Sequence, residues 1–329
     1  SDSSETKLDA TNNTWFAGTG DFTAQFSKMQ ISLSARYLNE QLKTDFVDEA
    51  TLSFGAYGIE MLLPVSDAMS SILGVKYETV LRDTLDVRTR VSPYGRVNLT
   101  PNNRVGLTLM AYTGYQYESY LQRWEENPYL SHTIQMYPAE VDWGAGIEVN
   151  IAAMPGVNIL GRVNQSSMKN TFYWQRDITT GFFDLRETEN TEIVDLEAGV
   201  HFNPVDWLSL RGSVKTYVAS FTQEDSLLSD KSYLPYRPQF RLPAEVSITM
   251  PLDFQFQLDG ELIGKRRINF TSQTKLDAVG LLNASLEKDF GEHFSASLNI
   301  LNLLDSEYVY WQFYPEPGRQ VFLGLRAKF

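Results

Sequence analysis

From Trp15 onward the chain repeats one pattern: long arms in which apolar and polar positions alternate, a tight reversal, a second such arm, then a longer polar connection. Alternation with period two gives each arm two different faces, the mark of β-strands rather than helices. Leu107, Leu109, Ala111, Thr113 and Tyr115 alternate with Gly106, Thr108, Met110, Tyr112 and Gly114; Trp143, Ala145, Ile147, Val149 and Ile151 alternate with Asp142, Gly144, Gly146, Glu148 and Asn150. Further on, Leu208, Leu210, Gly212, Val214 and Thr216 oppose Ser209, Arg211, Ser213, Lys215 and Tyr217, and Phe254, Phe256, Leu258, Gly260 and Leu262 oppose Gln255, Gln257, Asp259 and Glu261. Charges gather on the second face of each arm. The arms run about twice the ~5 to 6 residues usual for soluble strands, which sets aside a soluble β-sandwich. Lys or Arg turned toward lipid at mid-membrane would cost roughly 2 to 4 kcal/mol, so the apolar faces are expected outward and the charged ones inward.

Short reversals fall at residues 27–29, 64–67, 101–104, 154–156, 203–206, 251–253 and 291–293, mostly with Gly, Pro, Asn or Asp where the backbone must turn. Longer connections are expected near 39–46, 82–89, 119–132, 166–190, 222–236, 269–275 and 305–317. Short and long connections alternate, as they do when one rim of a membrane barrel faces the periplasm and the other faces outside. The fold class expected is all-β: a transmembrane antiparallel up-and-down β-barrel of about 14 to 16 strands. The strand count by eye is about fifteen, and an even number requires one strand more or one fewer. Aromatics beside the short turns, Phe202, Trp207, Phe254, Phe256, Phe290, Phe294 and the terminal Phe329, form the expected periplasmic girdle.

Composition supports this picture. Apolar residues make up 43% and aromatics 13%, with 17 Tyr and 19 Phe, types that suit a pleated surface. No apolar run is long enough for a membrane helix, and a mean hydropathy of -0.27 does not argue against a barrel, whose apolar residues are hidden in alternation. A net charge of -13 without a basic stripe makes nucleic acid an unsuitable partner, and the absence of Cys removes disulfides, thiolate metal sites and Cys nucleophiles. The opening SDSSETKLDATNNT is polar and turn-rich, so residues 1–11 are expected to be a flexible segment and residues 12–329 the barrel.

The last stretch, NLLDSEYVYWQFYPEPGRQVFLGLRAKF from Asn302, resembles the final hairpin of TonB-dependent receptors. The matching positions are Asn302, Leu303, Leu304, Asp305, Tyr308, Pro317, Gly318, Arg319, Gly324 and Phe329, with Leu304 where the family usually has an aromatic. FNPVDWLSLRGSV and YRPQFRLPAEVSITM are similar in style to that family. The resemblance implies an outer-membrane barrel serving passage of a solute or polymer. It does not extend to the family's plug domain, its TonB-engaging segment or its larger barrel. An anchoring or assembly role, holding an upstream region or a partner protein at the membrane, therefore remains open beside transport. Partners expected are outer-membrane lipid, the barrel assembly machinery reading Phe329 as an assembly signal, and an outer-membrane or periplasmic protein.

Candidate chemistry is sparse. His132, His201 and His293 are scattered without ligand spacing, so no metal, cofactor or catalytic site is assigned. His132 with Ser131, Glu125 and Glu126 is the nearest to a rim catalytic group, and nothing in its spacing selects it. The better-founded group is the inward set Arg211, Lys215, Asp259, Glu261, Glu287, Arg326 and Lys328, read either as ion pairs holding the barrel shut or as a polar pathway. Trp124, Tyr129, Tyr310, Trp311, Phe313 and Tyr314 are placed at the external rim, as a girdle or as a protein or glycan contact surface.

Overall fold

The computed structural model describes residues 12–43, 50–82, 86–131, 138–222, 233–270, 274–291 and 293–327; the expected flexible segment 1–11, His132, Lys328 and Phe329 lie outside them. Hairpins follow one another: β1 (Asn12–Phe26) with β2 (Met29–Lys43), β3 (Ala50–Ser66) with β4 (Met69–Arg82), β5 (Asp86–Asn102) with β6 (Val105–Gln116), β7 (Ala139–Met154) with β8 (Val157–Arg176), and β9 (Phe183–Val205) with β10 (Leu208–Thr222). A short helix, α1 (Tyr120–Glu126), interrupts the connection after β6. Then come β11 (Phe240–Met250) and β12 (Phe254–Ile263), the two-residue β13 (Arg266–Arg267) and β14 (Lys275–Leu276), β15 (Val279–Phe290) and β16 (Phe294–Leu301), the short β17 (Val309–Trp311) and β18 (Tyr314–Pro315), and β19 (Gln320–Ala327). The long strands form one 15-stranded sheet in chain order, while β13–β14 and β17–β18 are separate ribbons in the loops. Fifteen strands among the described residues fall inside the expected range.

The tight turns occur where the sequence places them. Asn102 Oδ1 accepts from the backbone N of Arg104 (2.8 Å) and Val105 (3.0 Å), closing the β5–β6 reversal. Gly156 has φ of 76°, and a Cβ there would lie 2.2 Å from the Asn203 carbonyl oxygen, whose own N–H reaches Gly156 O at 2.6 Å. Only glycine fits that approach.

One expected loop is overturned. Residues 166–190 are mostly strand, because β8 continues to Arg176 and β9 begins at Phe183, leaving a connection of 177–182. Thr171, Phe172, Tyr173 and Trp174 are buried in succession, so the two-faced alternation that marks the other arms is missing here.

The chain divides into two compact units: Ser1–Val97, Met110–Gly144 and Ser166–Thr191 in the first, and Asn98–Leu109, Ala145–Gln165 and Glu192–Phe329 in the second. In the first unit Phe22 faces Leu33, Leu33 faces Ile59, and Ile59 faces Val75 in cross-strand register. These side chains are exposed (65% for Phe22, 48% for Leu33), forming an apolar band that suits lipid. Its opposite face buries Glu40 and Glu78 beside a small core of Leu38, Phe54 and Val80. Glu78 accepts from Ser92 Oγ and from the Tyr115 backbone N (3.1 Å), a donor freed where Gly114 adopts φ of 135°; Tyr117 donates to Glu40 at 3.1 Å. Each buried carboxylate is thus held by hydrogen bonds. In the second unit the outward row is again apolar, ending in Val321, Leu323 and Leu325 on β19.

Candidate functional site: a polar cavity on the second unit

Register assembles the site. Arg211 on β10 lies opposite Glu245 on β11, Glu245 opposite Asp259 on β12, and Asp259 opposite Asn283 on β15, one row across the polar face. Two rows along the same face, Lys215 lies opposite Arg241. These like charges are each drawn to a carboxylate: Lys215 Nζ sits 3.5 Å from Glu197, and Arg241 forms a two-pronged pair with Glu261 at 2.7 and 2.8 Å. Arg162 joins Glu148 (2.7 Å) to Glu197 (3.4 Å), extending the ladder over β7, β8 and β9. The row containing Asp259 is less well compensated. Arg211 stands 3.7 Å from Glu245, which also accepts from Ser247 Oγ at 2.9 Å, and among the described residues Asp259 receives only the amide of Gln257 at 2.9 and 3.2 Å. Such half-exposed pairs contribute about 0 to 1 kcal/mol each, so they arrange charge more than they hold the fold.

This row borders a cavity of about 780 Å³ whose lining includes His201, Arg211, Glu245, Asp259, Glu261 and Tyr310. Its volume lies in the range of small-molecule sites, roughly 300 to 1,000 Å³. His201 Nε2 lies 3.0 Å from Ser209 Oγ. Of the expected inward charges, Arg211, Asp259 and Glu261 meet at the cavity, and Lys215 joins the adjoining ladder. Glu287 lies opposite Gln255 and Ser297, Arg326 opposite Ser295, and neither has an ion pair among the described residues. Glu197, Arg241 and Glu245 are site residues that the sequence reading did not single out. Alternation put them on the polar face, but only register shows which charges adjoin.

The expected rim residues have separate fates. Trp124 is exposed on α1 and Tyr129 is half-buried. Trp311 is buried, its ring 5.0 Å from that of Tyr236, and Tyr314 pairs with it in the β17–β18 ribbon. Phe313 is exposed. Tyr310 meets Tyr308 edge-on at 5.2 Å, lines the cavity, and has the Arg266 guanidinium 5.3 Å from its ring.

The closing motif is a hydrogen-bonded knot. Asn302, buried with φ of 50°, receives Ser306 N at Oδ1 (2.9 Å) and donates its amide to Ser306 O (2.9 Å) and Pro317 O (3.4 Å), while its backbone N donates to Asn283 Oδ1 (2.9 Å). Asp305 Oδ1 accepts from Arg319 N at 2.8 Å, and Arg319 Nε donates to Leu303 O at 3.0 Å. A Cβ on Gly318 would stand 2.8 Å from that same Asp305 oxygen. The motif therefore ties the end of β16 to the start of β19. Beside it, burial and the Glu316 carboxylate raise the pKa of the Tyr308 hydroxyl, and burial raises that of Glu316 itself. Among the described residues no group of three or more His, Asp or Glu side chains is arranged to hold a metal ion.

Long two-faced arms, an apolar outer band and a charged opposite face define a transmembrane β-barrel of the bacterial outer membrane. The chain belongs to the outer membrane protein beta-barrel family, whose model matches residues 149–318. Solved structures bear the same fold. The copper transporter OprC is 12% identical, with a TM-score of 0.70 over 98% of this chain and 57% of that one. The FrpB iron transporter from Neisseria meningitidis (F3-3 variant) is 14% identical, with a TM-score of 0.71 over 97% of this chain and 55% of that one. The siderophore receptor PirA from Acinetobacter baumannii is 11% identical, with a TM-score of 0.67 over 98% and 55%. The chain thus spans little more than half the length of these proteins. No curated protein matches its sequence.

Proposed function

We propose that this barrel serves passage of a polar solute across the outer membrane, with residues 12–329 acting as one transmembrane domain and the charged face as its lumen. The supporting observation is the cavity of about 780 Å³ bordered by Arg211, Glu245, Asp259 and Glu261, beside an ion-pair ladder too exposed to be explained as a stabilising core. The names of OprC, FrpB and PirA, two transporters and a receptor, agree with transport and with a non-enzymatic role. In this reading Phe329 is the signal read by the barrel assembly machinery. Planar-bilayer recordings test it: replacing Arg211 and Lys215 by Gln removes two inward cations, so the conductance of the purified barrel should shift toward cations. A barrel that conducts nothing before or after the substitutions sinks the passage reading.

The anchoring alternative draws on a different feature. In the 177–182 connection Ile178 is 90% exposed and Phe182 is 42% exposed, apolar groups that suit a partner protein. Photocrosslinking from position 178 on intact cells should then capture a protein, whereas a solute channel predicts only lipid or lipopolysaccharide adducts there.

A further inference from the structure

Resting on the passage reading, we propose that the cavity recognises an amine-bearing organic cation, held at Asp259 and its cross-strand neighbour Glu245. Two carboxylates directly opposed on neighbouring strands repel and destabilise the pair unless a cation answers them. The same face carries a second like-charged pair, Lys215 and Arg241, and there each member has its own carboxylate: Glu197 at 3.5 Å and Glu261 at 2.7 Å. Of Glu245 and Asp259, Glu245 alone is served in this way among the described residues, and at a longer distance. Arg211, the one Lys or Arg among the described lining residues, stands 3.7 Å from Glu245, and among the described residues no cation reaches Asp259, whose carboxylate takes only the Gln257 amide. Glu261 is already neutralised by Arg241, so it needs no further partner. The cavity therefore carries one more carboxylate than its neighbouring guanidinium groups answer, and the uncompensated one is Asp259.

The chemistry favours an ammonium over a metal ion. Two carboxylates without a third ligand make a poor site for a divalent metal, and no three-ligand group occurs among the described residues. An extended amine has several N–H donors and an apolar stem, and these suit a carboxylate pair in a cavity whose lining also includes Leu160 and Leu281. The volume of about 780 Å³ accommodates such a molecule with part of its water.

The full chain in detergent micelles at low ionic strength, titrated calorimetrically with spermidine, tests this. The expected result is saturable binding that weakens by roughly ten- to a hundredfold in Asp259→Asn and in Glu245→Gln, each of which removes a charged acceptor. Asp206→Asn, in the β9–β10 turn, should bind as the unaltered protein does, and heat-modifiable gel mobility confirms that each variant is folded. No saturable binding, or equal binding by all variants as expected of diffuse attraction to a chain of net charge -13, overturns the proposal. So does a preference for citrate or for a neutral trisaccharide over spermidine. Passage is read separately: binding without conductance removes the passage reading and leaves the subsite, whereas conductance without binding removes the subsite alone.

Discussion

Glu78 shows how one residue settles a local problem that alternation creates. Gly114 bends β6 at φ of 135° and frees the Tyr115 N–H, and the buried Glu78 carboxylate accepts from it and from Ser92 Oγ. A buried donor left unpaired costs about 1 to 3 kcal/mol, so the acid is a structural acceptor. Glu78→Gln places an amide N–H₂ among these donors, and the barrel should unfold more easily by about 1 to 3 kcal/mol, read from heat-modifiable mobility against temperature. Asn302 does comparable work at the last hairpin. Its place in a family-like motif was legible in the sequence, but the knot it makes with Ser306, Pro317 and Asn283 was not, because its partners come from separate stretches of chain.

At the scale of elements, local signals and tertiary context part company. The β5–β6 turn was readable because Asn102 acts through its own backbone neighbourhood, whereas the carbonyl that excludes a side chain at Gly156 comes from Asn203 on β9. The capping box of α1 is local in the same way: Ser119 Oγ accepts from Gln122 N at 3.1 Å, and Gln122 Oε1 from Ser119 N at 2.8 Å. Ser119→Ala should cost about 1 kcal/mol of helix stability and speed proteolytic cleavage within residues 119–131, with the barrel strands still protected. The extension of β8 and β9 was not readable, since burial of Phe172, Tyr173 and Trp174 in succession erases period two. The connection between these strands is held by Asp177, whose Oδ1 accepts from Thr179 N at 2.8 Å and whose Oδ2 accepts from Thr180 Oγ1 at 3.0 Å. The Thr179 backbone bond, then the Thr180 hydroxyl, lower its pKa below the ordinary 3.8. A carboxyl lowered on folding stabilises the turn fully above its unfolded value, and that contribution disappears as pH falls through the lowered one. The Thr179 amide resonance should hold steady above pH ~4 and move only below it, and Asp177→Asn should abolish that titration.

Over the whole molecule, opposite solvents act on the two faces of one sheet. Apolar side chains such as Phe22 and Leu323 are exposed at 65% and 84%, an arrangement that favours lipid outside, while Arg, Glu and Asp cover the other face. The last described strand, β19, belongs to this scale, because a barrel inserts as a unit. Removing Phe329 should leave the chain synthesised but depleted from outer-membrane fractions, and wild-type levels there would count against an assembly signal at that position.

The sequence by itself determined the class: strand-length alternation, turn residues at short intervals and a terminal family-like motif are local properties, set by which side chains can face lipid or reverse a backbone. It also determined that Arg211, Asp259 and Glu261 share the polar face. Only the tertiary structure decided that Glu245 stands opposite Asp259 while Arg241 closes on Glu261, because strand register depends on pairing across the sheet and a shift of two residues would keep every face and change every partner. It likewise decided that Trp311 is buried under Tyr236 and that Tyr310 lines the cavity, since the path of a long connection is set by what it packs against.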